Sequence, residues 1–305
     1  MSLPFQPGIA ADVPSAGRYL FFSLTEGASA EALGAALRRL APQVDGTTAV
    51  AGLGPQVAQS LGRQVPGQRE FPSFEGAAVS VPRTPTALWL WLRSTDTTDR
   101  GDLVLAAQAF ETALAPVLRL DRVIDGFRHG RGPNGHGRDL TGYEDGTENP
   151  DGDAAEAAAF VRGQGEGLDG SSFVAVQQWV HDFAAFQALP PERQDDVMGR
   201  RRVDNEELED APESAHVKRT AQEDFDPEAF VLRRSMPWAQ GSKAGLMFVA
   251  FGCSHDAYEA QMRRMAGLDD GITDALFTIS HPVSGAYFWC PPLREGGLDL
   301  RRLGL

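Results

Sequence analysis

Asp145, His216 and Arg233 are the residues whose types and settings could do chemistry. Asp145 lies in LTGYEDGTENP, Leu140 to Pro150, which packs two glycines, three carboxylates and a proline into eleven residues. The stretch is too polar for a core element and too well furnished for an idle linker. Gly146, directly after the acid, lets the backbone turn tightly and present a short carboxylate to a neighbouring surface. An aspartate in a turn also commonly satisfies local N–H groups, so the pattern alone assigns no role. His216 sits in SAHVKRT, and Arg233 in VLRRSMPW, followed by Ser235 and Pro237. A carboxylate, an imidazole and a guanidinium beside apolar strands suit acid–base, ligand or anion-stabilising chemistry. Spacing does not select among these.

Composition excludes several classes. A formal net charge of −14 argues against non-specific nucleic-acid binding, which needs clustered Lys and Arg. No run approaches the ~20 apolar residues of a membrane helix. The most apolar stretch, AGLMFVAFGCSH, is strand-like in length. The N-terminal MSLPFQPGIAADVP has neither a basic nor an apolar signal region, so a cytoplasmic location without membrane contact is expected. The two cysteines, Cys253 and Cys290, are far apart in apolar stretches and are expected to be buried free thiols. The six histidines form no H-x-x-x-H pair, which disfavours a zinc hydrolase.

The elements that must position the three residues follow from periodicity. GRYLFFSL reads as a strand. SAEALGAALRRLAPQV reads as a helix with Leu33, Leu37 and Leu40 on one face. TTAVAGLG and TALWLWLRST are strands, RGDLVLAAQAFETALAPVL is a second helix, and VIDGFRHG is a last strand. The second half repeats the order. SSFVAVQQWVHD is a strand, FAAFQALPPERQDDVMGRR is helical, FVLRRSMPW and AGLMFVAFGCS are strands, DAYEAQMRRMAGL is a helix, and GAYFWCPPL closes the series. The expected fold is α+β: two ferredoxin-like β-α-β-β-α-β units whose antiparallel sheets pack together with helices outside. The predicted divisions are an N-terminal half at 1–140, a loop and connection at 141–170, and a C-terminal half at 171–305. The connection is rich in Gly, Asn, Asp and Pro and is long enough to be functional rather than a linker.

The G-x-x-D-G motif (Gly142, Asp145, Gly146), continued as TENP, resembles the signature of the dye-decolorising peroxidases. SAHVKR, LRRSMPW and HPVSGAYFWCPPL resemble that family too, in the same order, so the likeness covers nearly the whole chain. The short loops are similar to those of its bacterial B-type members. The resemblance implies a haem-b peroxidase that reduces hydrogen peroxide and oxidises one-electron donors such as dyes, phenols or Mn(II). It implies His216 as the axial ligand of the haem iron, with Asp274 accepting from its other ring nitrogen; Asp269 and Asp270 compete for that role.

The same resemblance makes Asp145 the base for the peroxide proton. An aspartate, with an ordinary pKa near ~3.9, is a competent base at mildly acidic pH. Arg233 would stabilise charge on the departing oxygen, with Arg234 as the alternative. Only one of the two can face the site, because adjacent strand residues point to opposite sides. Period two then puts Ser235 beside Arg233. Gly146 and Thr147 would approach the haem edge, and Leu246 and Phe248, with Ala250, would wall it. Arg200 would reach a propionate, although Arg201 and Arg202 are equally basic. Trp179, Trp238, Tyr287 and Trp289 could relay electrons, with core packing as the plainer role. A homo-oligomer is implied, and an encapsulin shell is a candidate partner, although REGGLDLRRLGL leaves little tail to act as a targeting peptide. The competing readings are a haem-handling protein, a carrier or an iron-releasing deferrochelatase-like enzyme, and a two-domain binding protein without haem. The first would keep His216 without needing Asp145 and Arg233 together.

Overall fold

The computed structural model describes residues 4–95 and 100–305, so the first three residues of MSLPFQPGIAADVP lie outside the described residues. The central strands of its first half are apolar on both faces because each face is covered. In β1 (Ala16–Leu24), Tyr19 and Phe21 point one way and Leu20 and Phe22 the other. With β2 (Ala49–Leu53), β3 (Leu88–Ser94) and β4 (Leu118–Phe127) it forms an antiparallel sheet of order β4-β1-β3-β2. The helices Ala30–Leu40 and Gly101–Leu114 make the two crossovers and lie together on the outer face. There Leu33 and Leu37 meet Leu20, Phe22 and Leu90 in one buried cluster. The first helix starts where the periodicity begins because Ser29 Oγ accepts the Ala32 N–H at 3.1 Å.

The second half contributes β5 (Ser172–His181), β6 (Leu232–Arg233), β7 (Met236–Gln240), β8 (Lys243–Gly252), β9 (Ser280–Pro282) and β10 (Ala286–Cys290). Its order, β7-β8-β5-β10, is the same ferredoxin-like order of fourth, first, third and second strand, run the other way. FVLRRSMPW, expected as one strand, is two. β6 and β7 share one register on β8, with Arg233 opposite Ala250 and Met236 opposite Met247. Between them Ser235 Oγ, rather than a carbonyl, accepts the Val249 N–H at 3.3 Å, so the ladder is interrupted without a slip.

The two sheets pack face to face, as expected, and also join at both edges. Gly126 pairs with Trp238 between β4 and β7, and Leu53 pairs with Trp289 between β2 and β10. The strong twist of four-stranded sheets brings opposite edges within pairing distance and closes the ring. Tyr19, Trp89, Trp91, Met247, Phe251 and Phe288 fill its interior. Tyr19 stacks on Trp91 with ring centroids 6.0 Å apart.

Three features of the periphery matter for function. The outer face of the second sheet is covered only in part, by Tyr258, Met262 and Met265 of the helix Asp256–Met265. The connection between the halves runs from residue 128 to 171, longer on its N-terminal side than 141–170, and holds the helix Gly152–Ala159. At the C-terminal end, Leu298, Leu300 and Leu303 are buried in the first half's core. Cys290 is buried, but Cys253, expected to be buried, is exposed, because the chain leaves the sheet at Gly252. Among the described residues no helix is long and apolar enough to cross a membrane.

Candidate active site

A cavity opens on the bare part of the second sheet. Strand alternation sends Met247, Val249 and Phe251 into the ring interior, which leaves Leu246, Phe248 and Ala250 on the outer face. Leu246 and Phe248, with Trp179 from β5, line the cavity. His216 and Met262 line it from the helical side, and Asp145 and Arg233 from the loop side.

His216 opens the short helix His216–Arg219. Arg219 anchors that helix with two 2.7 Å bonds to Asp270 and one to the Arg264 carbonyl. Asp274, with a fully buried side chain, caps the next turn by accepting the Leu276 N–H at 2.8 Å and takes His216 Nδ1 at 2.7 Å. A carboxylate can only accept, so in the neutral ring Nδ1 carries the proton and Nε2 is a bare lone pair. No described residue bonds Nε2, and His216 lines the cavity. The competitors are committed elsewhere: Asp270 to Arg219 and Asp269 to Arg263 at 3.0 Å.

The loop carrying Asp145 is a tight hairpin. The Asp139 N–H donates to the Tyr143 carbonyl at 2.8 Å, and Gly142 and Gly146 hold φ of +92° and +90°, values that favour glycine. Asp139, not Asp145, satisfies the turn: it accepts the Thr141 N–H at 3.0 Å and its hydroxyl at 2.6 Å. The Asp145 carboxylate bonds no turn N–H among the described residues and lies 3.7 Å from the Arg233 guanidinium. That separation is an ion pair but too long for a hydrogen bond, so both groups remain available to a third partner.

Asn149, which sequence reasoning missed, fixes this pairing. Its Oδ1 accepts the Arg233 N–H at 2.7 Å and its Nδ2 donates to the Arg233 carbonyl at 3.1 Å. The Asn-Pro end of TENP was the available signal. Asn149→Ala should cost about 1–3 kcal/mol of stability in urea unfolding, because it strands the partly buried Arg233 N–H and leaves the Arg233 carbonyl with the Arg234 guanidinium alone. It should also slow the peroxide reaction, because Arg233 loses its brace. A variant as stable and as fast as the parent would deny Asn149 this part.

A second missed pair is Asp139 and His181. His181 Nε2 lies 3.0 Å from Asp139 Oδ1, and Nδ1 lies 2.7 Å from Ser280 Oγ, all buried at the cavity wall. VHD in β5 offered a histidine but no signal for its partner. Burial works against the ionised Asp139, yet the bonds from His181 and Thr141 more than offset it, and its pKa is lowered. A depressed carboxyl stabilises the fold above its unfolded pKa of about 3.9, and that contribution is lost as pH falls through the folded value. Asp139→Asn should therefore reduce stability at pH 7 and flatten the acid limb below about pH 4. Urea unfolding at pH 7 and at pH 3.5 checks both; parallel curves for the two proteins would contradict the assignment.

The remaining expected residues are placed unevenly. Arg233 faces the cavity and Arg234 does not; Arg234 donates to the carbonyls of Ile9 and Ala10 on the other side of the strand. Arg200 lines the cavity, braced by Glu148 and Glu207 and by the Asn205 carbonyl at 3.0 Å. Arg201 pairs with Asp204 and Glu206, and Arg202 lies against Gln194 and the Tyr143 ring. Thr147 lines the cavity and accepts from Asn205 at 2.9 Å. Ser235 and Gly146 do not line it; both line a second cavity on the far side of Asp145 and Arg233. For Ser235 the cause is its bond to the Val249 N–H. Of the aromatics, Trp179 lines the cavity and Tyr287 packs against Tyr258 behind it, whereas Trp238 is in the ring interior and Trp289 in the first half's core.

A bare imidazole nitrogen on one wall, with an acid and a fixed cation on the opposing side, is an arrangement suited to peroxide cleavage at a metal centre on a duplicated ferredoxin-like fold. A family model described as Dyp-type peroxidase, C-terminal, matches residues 136–295. A dye-decolorising peroxidase of Rhodococcus erythropolis is 31% identical over 255 residues, which is 81% of this chain and 72% of that protein. A Rhodococcus jostii DypB variant, solved in complex with haem, superposes with a TM-score of 0.82 at 25% identity over 93% of this chain and 95% of its own. An encapsulated DyP-type peroxidase of Mycobacterium smegmatis gives 0.79 at 25% identity, over 92% and 94%. The chain belongs to the dye-decolorising peroxidase family of oxidoreductases.

Proposed function

We propose that this chain is a haem-b peroxidase in which the cavity holds the haem, with His216 Nε2 on the iron and Asp145 and Arg233 on the peroxide side. The observation that carries the reading is the bare Nε2 of a carboxylate-backed histidine, facing the cavity that Asp145 and Arg233 also line. The residues fit the group: apolar side walls from Leu246, Phe248 and Met262, and Arg200 and Thr147 at the rim for propionates. A bound haem would supply the redox centre that takes up the two oxidising equivalents of peroxide and passes them singly to two donors.

The chain's own residues do the rest. Asp274 holds the His216 tautomer and makes the imidazole a stronger electron donor. Asp145 takes the proton from the attacking peroxide oxygen and returns it to the departing one, which leaves as water. Arg233 stabilises the negative charge that develops on the departing oxygen. The joint presence of Asp145 and Arg233 favours this reading over haem carriage or iron release, which would use His216 alone.

Hydrogen peroxide and a small donor are the partners. Two unpaired thiols, one of them exposed, suit a reducing cytoplasm. Leu298, Leu300 and Leu303 are buried and so not free to act as a targeting segment, which makes an encapsulin shell the lesser proposal. The test is haem-reconstituted protein mixed with one equivalent of peroxide. Rapid peroxide consumption with a shift of the Soret band is expected. A normal ferric Soret band that peroxide leaves unchanged would turn the reading to haem handling.

A further inference from the structure

The second cavity, of about 650 Å³, shares Asp145 and Arg233 with the first and lies outside them. One wall is residues 128–138, RHGRGPNGHGR, which hold three arginines, two histidines and no carboxylate in a chain of net charge −14. Arg128 and Arg131 are exposed, and no described residue bonds their guanidinium groups. Glu144 shapes the loop by accepting the His136 N–H at 2.8 Å and the Asn134 N–H at 3.2 Å, so its oxygens are turned to the main chain and pair with no guanidinium among the described residues.

The opposite wall carries Arg234, whose guanidinium bonds only main-chain carbonyls, those of Ile9, Ala10 and Arg233. It makes no salt bridge; burial lowers its pKa to about 10 and the nearby Asp12 offsets part of that, so it stays cationic at neutral pH. The lining holds five guanidiniums (Arg128, Arg131, Arg138, Arg233, Arg234) and four carboxylates (Asp12, Asp145, Asp151, Glu156), of which Asp145 pairs with Arg233 and Glu156 with Arg162 outside the hollow. Val13, Pro150 and Pro237 supply apolar surface between them.

Two unbonded guanidiniums, Arg128 and Arg131, beside a partly apolar hollow select an anion with a flat apolar body. We infer that the hollow between residues 128–138 and Arg234 is a docking site for a small aromatic carboxylate or sulfonate, the carboxylate end held by Arg128 and Arg131 and the ring set against the prolines. Where such an anion is also a phenol, the site is where the electron donor waits; that extension rests on the peroxidase reading, while the binding claim does not.

Benzoate is the probe for binding, titrated calorimetrically into the protein with and without haem. Benzoate should bind both forms, phenol and phenethylamine should bind far more weakly, and added salt should weaken benzoate. Arg128→Gln/Arg131→Gln should weaken benzoate at least about 10-fold, while Arg128→Lys/Arg131→Lys recovers part of the loss, since lysine keeps the charge without the fork. In turnover, the ratio of kcat/KM for 4-hydroxybenzoate to that for phenol should fall by a similar factor in the glutamine variant. Absence of benzoate binding to the parent, or equal binding by the glutamine variant, overturns the site. Benzoate binding in a protein that oxidises no donor would sink the peroxidase reading and leave the site standing.

Discussion

His216→Ala, purified after haem supplementation, will retain little or no haem and show at least about a 100-fold loss of haem affinity, read from the Soret band during titration. The reason is geometric. Nε2 of His216 is a bare lone pair facing the cavity, and its ring is fixed by a 2.7 Å bond from Nδ1 to a fully buried carboxylate. Removing the ring also strands Asp274, at a cost of about 1–3 kcal/mol in stability. Loss of haem through misfolding is therefore separated from loss of the ligand by His216→Ala/Asp274→Asn, which removes the stranded charge. That double variant should recover the thermal stability and still fail to hold haem. Asp274→Asn alone should keep haem more weakly, by about 10–100-fold, because the ring loses its acceptor and its tautomer preference. Full haem content and an unchanged spectrum in His216→Ala would remove His216 as the ligand.

The second large effect concerns the ranking of Arg233 and Asp145. Arg233→Ala is expected to slow the reaction with peroxide by about 10²–10³, the usual cost of removing a preorganised charge at a developing anion. Asp145→Ala is expected to cost less, about 10-fold, at the weak end of general-base contributions. The structure supplies the asymmetry. Arg233 is braced at both backbone groups by Asn149, and its side chain is one-fifth exposed. Among the described residues the only other guanidinium lining the cavity is that of Arg200, which two glutamates hold, and Arg234 is turned away. Asp145 is one-quarter exposed and borders the second cavity, where water can carry the proton in its place. Stopped-flow rates for the two variants against peroxide concentration decide the matter; equal losses, or a larger one for Asp145→Ala, would overturn the order.

Local pattern was enough for part of this protein. The strand and helix order of both halves was legible because apolar residues recur at the spacing each element requires, and strands covered on both faces, such as TALWLWLRST, announce themselves. The alternation in AGLMFVAFG placed Leu246, Phe248 and Ala250 on one face, and the Arg-Arg pair had to split across a strand. Asp145, His216 and Arg233 were visible as residue types, and the family motif ordered them.

Only the tertiary structure could decide how these pieces meet. The choice of Asp274 over Asp269 and Asp270 depends on where the helix after His216 is anchored, which Arg219 sets across about fifty residues of sequence. Ser235 left the expected site because one hydroxyl replaced a carbonyl in the ladder with β8, a contact that periodicity does not encode. Asn149, the Asp139–His181 pair and the closure of the two sheets at both edges are all contacts between segments remote in sequence. Periodicity reports which face of an element is buried. It carries no information about which partner buries it, and in this protein the site is made of such partnerships.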